Sequence, residues 1–314
     1  MPLSPMSFSR RSLLASTLAL AAAPRSTLDR SRLSVMTDEV GRDLADAIAF
    51  ARKYKLSSVE LRGEPGAGYY DAMPAAKLKE VSKQLADNGL RCSFLNSGLL
   101  KFTLPGTKAV KSEAFYEDMW KSKGWTPESM WADRLTMLER ALDAAELLGV
   151  KQLRSFTFWR VADPRSVFSQ LKEALHGMGE AAAKRGCRVL VENEFACNMA
   201  SSAETAALLR AVKHPGIALN WDPQNSSQYD KAGVYPAGML LLPKKRIANV
   251  QMKAEGLIGP GNKLDWAGIV RDLEKGGYRG FYGLETHTLK GPAINIPASH
   301  RCLEAMLRLV GESA

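Results

Sequence analysis

The chain has 314 residues, 46% hydrophobic and 24% charged, with a formal charge of +10. One large core is therefore expected, since single barrels commonly run to about 250 residues. Lys and Arg are dispersed over helix faces rather than gathered in one run, which argues against a nucleic-acid partner despite the charge.

The N-terminus reads as an export signal. Residues Ser9, Arg10 and Arg11 followed by Ser12, Leu13, Leu14 and Ala15 resemble a twin-arginine signal, and 13–23 is apolar and rich in small residues. That stretch is too short for a membrane span, which needs about 20 residues. A signal over 1–27, a mature domain over 28–314, and a periplasmic or secreted location are expected, with no stable membrane anchor. Cys92, Cys187, Cys197 and Cys302 lack paired metal-site spacing and read as buried thiols, although an oxidising compartment leaves room for one disulfide.

Beyond the signal, apolar strand cores at 33–36, 58–61, 92–95, 152–156, 188–191, 217–220, 247–252 and 280–284 alternate with stretches whose apolar residues recur three and four apart. Gly89, Gly149, Gly186 and Gly277 each fall between a helix and the next strand, where a left-handed cap is needed. Eight such repeats predict an α/β fold of the (β/α)8 TIM barrel type. A doubly wound open sheet is the alternative, but the glycine-rich phosphate loop that usually follows its first strand is missing. The longest interruption, from Asn96 to about Thr126, carries Phe102, Phe115, Tyr116, Trp120 and Trp125. Its length and aromatic content predict a lid that stacks on sugar, through Trp125 among others, or a contact in a homo-oligomer.

The later strands each end in a polar residue: Glu192, Asp222, the pair Gln251 and Lys253, and Glu285. Period-two alternation puts Glu192 on one face with Glu194, Asp222 with Asn220, Glu285 with His287, Glu60 with Arg62, and Gln152 with Arg154. A barrel lumen is normally filled by branched apolar residues, so this many inward ionisable groups require compensation. A divalent cation held by Glu192, Asp222, Gln251 and Glu285 supplies it. The oxygen-rich donor set favours Mg2+ or Mn2+ over Zn2+. Gln251 reads equally as a hydrogen bonder behind the ligands, with water completing the metal shell.

With these residues in place, the chain resembles the xylose-isomerase-like barrel superfamily of sugar isomerases and epimerases. The resemblance runs from Ser34, Val35, Met36, Thr37, Asp38 and Glu39, through Val59, Glu60, Leu61 and Arg62, to Leu284, Glu285, Thr286 and His287. Three of the family's ordered Glu, Asp, His, Glu ligands match, at Glu192, Asp222 and Glu285. The histidine position is Gln251, and a histidine common in the epimerases three residues after the aspartate is Asn225. The resemblance implies that Glu192 and Glu285 double as acid/base groups.

The expected function is metal-dependent proton transfer through an enediolate on a keto sugar. Lys253 assists as a third catalytic group by offsetting the carboxylates or polarising the carbonyl. Glu60, Arg62, Arg154, Asn225, His287 and Trp125 are expected to contact substrate, although Arg62 and Arg154 read equally as lumen salt bridges with Glu60 or Glu194. His287 reads equally as a packed barrel residue. A lyase or hydratase acting on an oxidised 3-keto sugar or glycoside would use the same chemistry. A sugar-binding barrel without turnover is the third possibility, permitted by Gln251 and Asn225. A multi-zinc centre like that of endonuclease IV is discounted, because His176, His214, His287 and His300 are the only histidines.

Overall fold

The computed structural model describes residues 28–64, 68–253, 264–287 and 292–311; the expected signal segment lies outside them. Eight strands form one parallel sheet: β1 (Leu33–Val35), β2 (Ser58–Leu61), β3 (Arg91–Leu99), β4 (Gln152–Ser155), β5 (Arg188–Glu192), β6 (Ile217–Trp221), β7 (Ile247–Met252) and β8 (Phe281–Leu284). Spatial order follows chain order from β2 to β8 and on to β1. A bridge between Met36 and Glu60 joins β1 to β2, so the sheet is a nearly closed barrel.

Among the described residues, seven long helices surround it: α1 (Leu44–Lys53), α2 (Ala75–Asp87), α3 (Arg134–Leu147), α4 (Phe168–Lys184), α5 (Ser202–Ala211), α6 (Trp266–Lys275) and α7 (Pro292–Leu309). The expected alternation fails once, between β6 and β7. That interval holds only the short turns Pro223–Ser226, Val234–Gly238, Met239–Leu241 and Lys244–Arg246, because Pro223, Pro236 and Pro243 withhold backbone donors and interrupt any long helix. Elsewhere local chemistry sets the ends. Asp43 caps α1 through the Asp46 amide at 2.8 Å, and Ser201 with Glu204 forms a reciprocal capping box on α5. Gly89, Gly149, Gly186 and Gly277 all adopt positive φ at the helix exits, as expected.

Outward side chains such as Val35, Leu61, Leu153, Val191, Trp221 and Leu284 are buried in the core beneath the helices. Leu171 on α4 is wholly buried there, and truncating such a side chain to alanine costs about 2–5 kcal/mol. The lumen differs. Phe94, Leu190, Ala218 and Ala248 form a small apolar cluster of their own. Three register shifts re-aim its strands: Val59 pairs with Cys92 but Glu60 with Phe94, Leu95 pairs with Leu153 but Leu99 with Ser155, and Leu219 pairs with Ile247 but Asn220 with Asn249. The last brings two amides level across neighbouring strands.

The long aromatic interruption is folded rather than irregular. β3 continues to Leu99, Ala109–Lys111 pairs with Arg160–Val161, and two helices follow, Ala114–Ser122 and Pro127–Ala132. All four cysteines are free and buried.

Gly283 leaves no room for a side chain, because a Cβ there would overlap Glu60 Oε1. Gly283→Ala must displace the Glu60 carboxylate and is expected to cost about 1–3 kcal/mol by overpacking. Urea unfolding measures this, and a variant as stable as the parent would show that Glu60 moves freely.

Candidate functional site

Period-two alternation carries the polar strand tips into the barrel mouth. Glu192 ends β5, Asp222 follows β6, Gln251 lies near the end of β7 and Glu285 follows β8. All four are at most 3% exposed. Oxygens of Glu192, Asp222 and Glu285 lie within 4.8 Å of one another. Gln251 stands on the strand between those bearing Asp222 and Glu285.

Asp222, Glu285 and Gln251 are each anchored on one side, and Glu192 on both, its Oε1 accepting Asn225 Nδ2 at 3.5 Å. Asp222 caps the turn Pro223–Ser226, accepting the Asn225 amide at 2.9 Å through Oδ1, while Oδ2 has no hydrogen bond. Glu285 accepts Arg62 Nη1 at 2.8 Å through Oε1, while Oε2 has none. Gln251 donates Nε2 to Glu60 at 2.7 Å, leaving its buried Oε1 unpartnered. Glu192 is the most engaged, taking Arg154 at 3.2 Å and Asn220 at 2.8 Å on Oε2. Three buried oxygens without hydrogen bonds, two of them facing only the Lys253 ammonium, suit a bound cation, since an unsatisfied buried acceptor typically costs about 1–3 kcal/mol.

The cations nearby are shared. Lys253 Nζ lies 3.3 Å from Asp222 Oδ2 and 3.7 Å from Glu285 Oε2, and donates to Asn225 Oδ1 at 3.3 Å. Arg62 binds Asp38 and Glu39 at 2.7 Å and Glu285 at 2.8 Å. Burial pushes Asp222 up to about 8; Lys253 opposes this, and repulsion from Glu192 and Glu285 adds to it. Burial likewise raises Glu192, against the pull of Arg154. Glu285 goes the other way. Its burial is outweighed by Lys253, His287, Arg62 and Arg154, which hold it well below the usual carboxylate range.

Several expected substrate contacts are placed differently. Glu60 is fully buried below the mouth, and the amides of Asn96, Gln251 and Asn249 take up its oxygens. Neither Arg62 nor Arg154 pairs with Glu60 or Glu194; Arg62 bridges Asp38, Glu39 and Glu285, and Arg154 pairs with Glu192. Asn225 is engaged with Glu194 at 3.2 Å. His287, in the left-handed region at φ 47°, sets Nδ1 3.5 Å from Glu285 and 3.7 Å from Glu39. Together with Glu39 and Glu285 it forms a second cluster of possible metal ligands, but the Arg62 guanidinium already bridges the two carboxylates.

The lid helix Ala114–Ser122 lies over the C-terminal end of β3, where a Cβ on Gly98 would meet the Tyr116 ring at 3.7 Å. The Tyr116 hydroxyl pairs at 2.5 Å with that of Tyr69, from the hairpin after β2. Trp125 is not beside the carboxylates: it stacks on Trp120 at 5.2 Å, with Lys123 over its ring. Sequence reasoning also missed Lys101, buried with its ammonium 4.3 Å from the Phe156 ring centre, 4.4 Å from that of Tyr116 and 3.0 Å from Glu113. A lone lysine in an aromatic-rich segment carries no signal of such a cage. Asp38 and Glu39 were likewise overlooked as site residues, although two adjacent carboxylates just past β1 were a usable signal.

Comparison with solved structures finds the same fold at low identity. D-allulose 3-epimerase from Methylomonas sp., in complex with D-allulose, superposes with a TM-score of 0.66 at 18% identity, covering 90% of this chain and 99% of that one. For 3-keto-D-glucoside 4-epimerase from E. coli the values are 0.60 and 12%, covering 88% and 98%. A xylose isomerase-like barrel protein from Mycobacterium smegmatis in complex with magnesium gives 0.62 and 14%, covering 89% and 96%. No curated protein sequence matches. The sequence pattern of one family spans residues 48–306, and the chain belongs to that family, the xylose isomerase-like TIM barrels.

Proposed function

We propose that the protein is a metal-dependent sugar isomerase or epimerase that moves a proton between carbons of a keto sugar through an enediolate. The observation that carries this reading is the set of half-anchored oxygens. Glu192, Asp222 and Glu285 present carboxylates within 4.8 Å of one another, and Asp222 Oδ2, Glu285 Oε2 and Gln251 Oε1 are buried without donors. Such a set fits a hard divalent ion, Mg2+ or Mn2+. When bound, that ion supplies Lewis-acid stabilisation to charge developing on a substrate oxygen.

The chain's own residues supply the rest. Glu285, kept ionised by Lys253, His287 and Arg62, serves as the proton acceptor. Glu192, held by Arg154 and Asn220, serves as its partner in the proton transfer. Lys253 offsets charge at Asp222 and Glu285, Arg62 and Arg154 hold the two acid/base carboxylates in place, and the helix carrying Tyr116 excludes water. Support for a carbohydrate ligand comes from the epimerase neighbours. An oxidised glycoside as substrate draws support from the 3-keto-glucoside epimerase among them; a carbon–oxygen lyase on such a glycoside is the second reading. Export through the twin-arginine pathway, suggested by Ser9, Arg10 and Arg11, would place this chemistry outside the cytoplasm.

Glu285→Gln keeps the shape of the side chain and removes its basicity. Deuterium wash-in from D2O into a panel of keto sugars, followed by proton NMR with Mn2+ or Mg2+, is expected to fall about 100- to 10,000-fold in this variant. Elimination products in the same spectra would select the lyase. A wild type that exchanges no carbon-bound proton with either metal, yet binds sugar, leaves only a binding protein.

Cation binding should also depend on pH. Asp222, raised from 3.8 to about 8, must lose its proton to become a ligand, so binding releases protons and tightens as pH rises toward about 8. Without metal, the stability linked to this raised pKa is present below about pH 4 and is lost as pH climbs through about 8. The rise in Tm on adding Mn2+ is therefore expected to be larger at about pH 8 than at about pH 6. Titration calorimetry showing no proton release across that window would mean that Asp222 is already ionised.

A further inference from the structure

Beneath the candidate ligands, Glu60 enters the lumen from β2 and is completely buried. Its Oε2 accepts Gln251 Nε2 at 2.7 Å and Asn96 Nδ2 at 2.9 Å, and its Oε1 accepts Asn249 Nδ2 at 3.2 Å. Gln251 Nε2 also lies 3.4 Å from Asn96 Oδ1. Both Glu60 oxygens are taken up as acceptors by these three amides, and a side-chain amide has one donating and one accepting end. Gln251 turns its NH2 group toward Glu60 Oε2 and Asn96 Oδ1. Its oxygen is left on the other side, buried and without a donor.

The register strengthens the arrangement. Gln251 pairs with Gly283 on β8, and a side chain at that glycine would occupy the space of the Glu60 carboxylate. Three strands thus cooperate: β2 supplies the acceptor, β8 withholds a side chain, and β7 supplies the amide that the acceptor aligns. A metal-bound imidazole is usually oriented by giving its second N–H to a carboxylate. Gln251 has the same division of labour in an amide, with N–H toward Glu60 and oxygen toward the mouth.

We propose that Glu60 is a positioning residue that turns Gln251 into an oxygen ligand, so that the glutamine replaces an imidazole only with this buried carboxylate behind it. The inference rests on the metal-site reading above. It also gives Glu60 a role different from the substrate contact that its sequence position suggested.

The test is a double-mutant cycle read by Mn2+ binding to the metal-free full chain, using calorimetry and electron paramagnetic resonance of free Mn2+. Glu60→Gln is nearly isosteric but can donate as well as accept, so it no longer dictates which end of Gln251 faces upward. Loss of such an orienting group typically weakens metal binding about 10- to 100-fold. Gln251→Leu is expected to weaken it comparably, and the double variant no further than Gln251→Leu alone, because Glu60 acts through Gln251. If Glu60 acted by charge alone, its removal would weaken binding in the Gln251→Leu background as well, and the losses would multiply. Multiplying losses, wild-type affinity in Glu60→Gln, or wild-type affinity in Gln251→Leu each overturns the proposal. Should Glu60→Gln not fold, Gly283→Ala displaces the same carboxylate with its chemistry intact, and unchanged Mn2+ affinity in its folded fraction overturns the proposal equally. A wild type that binds no divalent ion removes the metal reading itself, an outcome distinct from wild-type binding that ignores Glu60.

Discussion

Negative charge gathered in a water-poor barrel mouth is the constraint on which the rest of the structure depends. Glu39, Glu60, Glu192, Glu194, Asp222 and Glu285 are all buried at or below this mouth. The cations among them are Arg62, Arg154 and Lys253, each shared between neighbours. Ionised groups taken out of water cost several kcal/mol each unless paired. The protein answers in two ways: it concentrates the available cations on Glu285 and Glu192, and it surrounds Glu60 with neutral amides. The deficit is spread over Asp222, Glu192 and Glu60, each of which burial raises.

The amide layer also organises the site sideways. Asn249 donates to Glu60 and to Asn220 Oδ1 at 3.0 Å, and Asn220 donates to Glu192 at 2.8 Å. A continuous chain of hydrogen bonds thus runs from β2 through β7 and β6 to β5, holding Glu192 at one end and, through Glu60, Gln251 at the other. In a low-dielectric interior such a network rigidifies the core when its members are satisfied. Asp222 Oδ2, Glu285 Oε2 and Gln251 Oε1, buried without hydrogen bonds, belong to the residues that would meet a cation, as a preorganised site requires.

Much of this was legible in sequence because parallel strands in a barrel repeat with period two and end at one face. The tips Glu192, Asp222, Gln251 and Glu285 followed from that rule together with the family resemblance, and the left-handed glycines followed from the helix exits. Partner choice was not legible. Arg62 sits two residues beyond Glu60 on one strand, yet its partners are Asp38, Glu39 and Glu285, the last 223 positions away. Asn249 shares the period-two face of Gln251 and Lys253, so its place in the lumen was a usable signal that went unread. Trp125 was misdirected for another reason: aromatic content identifies a packed segment but not the direction in which each ring points.

The bulge opposite Leu219 and Asn220 has a consequence for how this barrel can vary through descent. One extra residue in β7 lets Asn249 stand level with Asn220 while Gln251 pairs with Gly283. Because side chains alternate, removing a single residue between Ile247 and Gln251 would turn every later position of the strand over. Val250 would then face the lumen, and the amide would face the helices. Substitutions along β7 exchange one contact for another, whereas a change in its length rewrites all of them at once. Lineages of this barrel can therefore diversify at the residues of β7 far more freely than in their number.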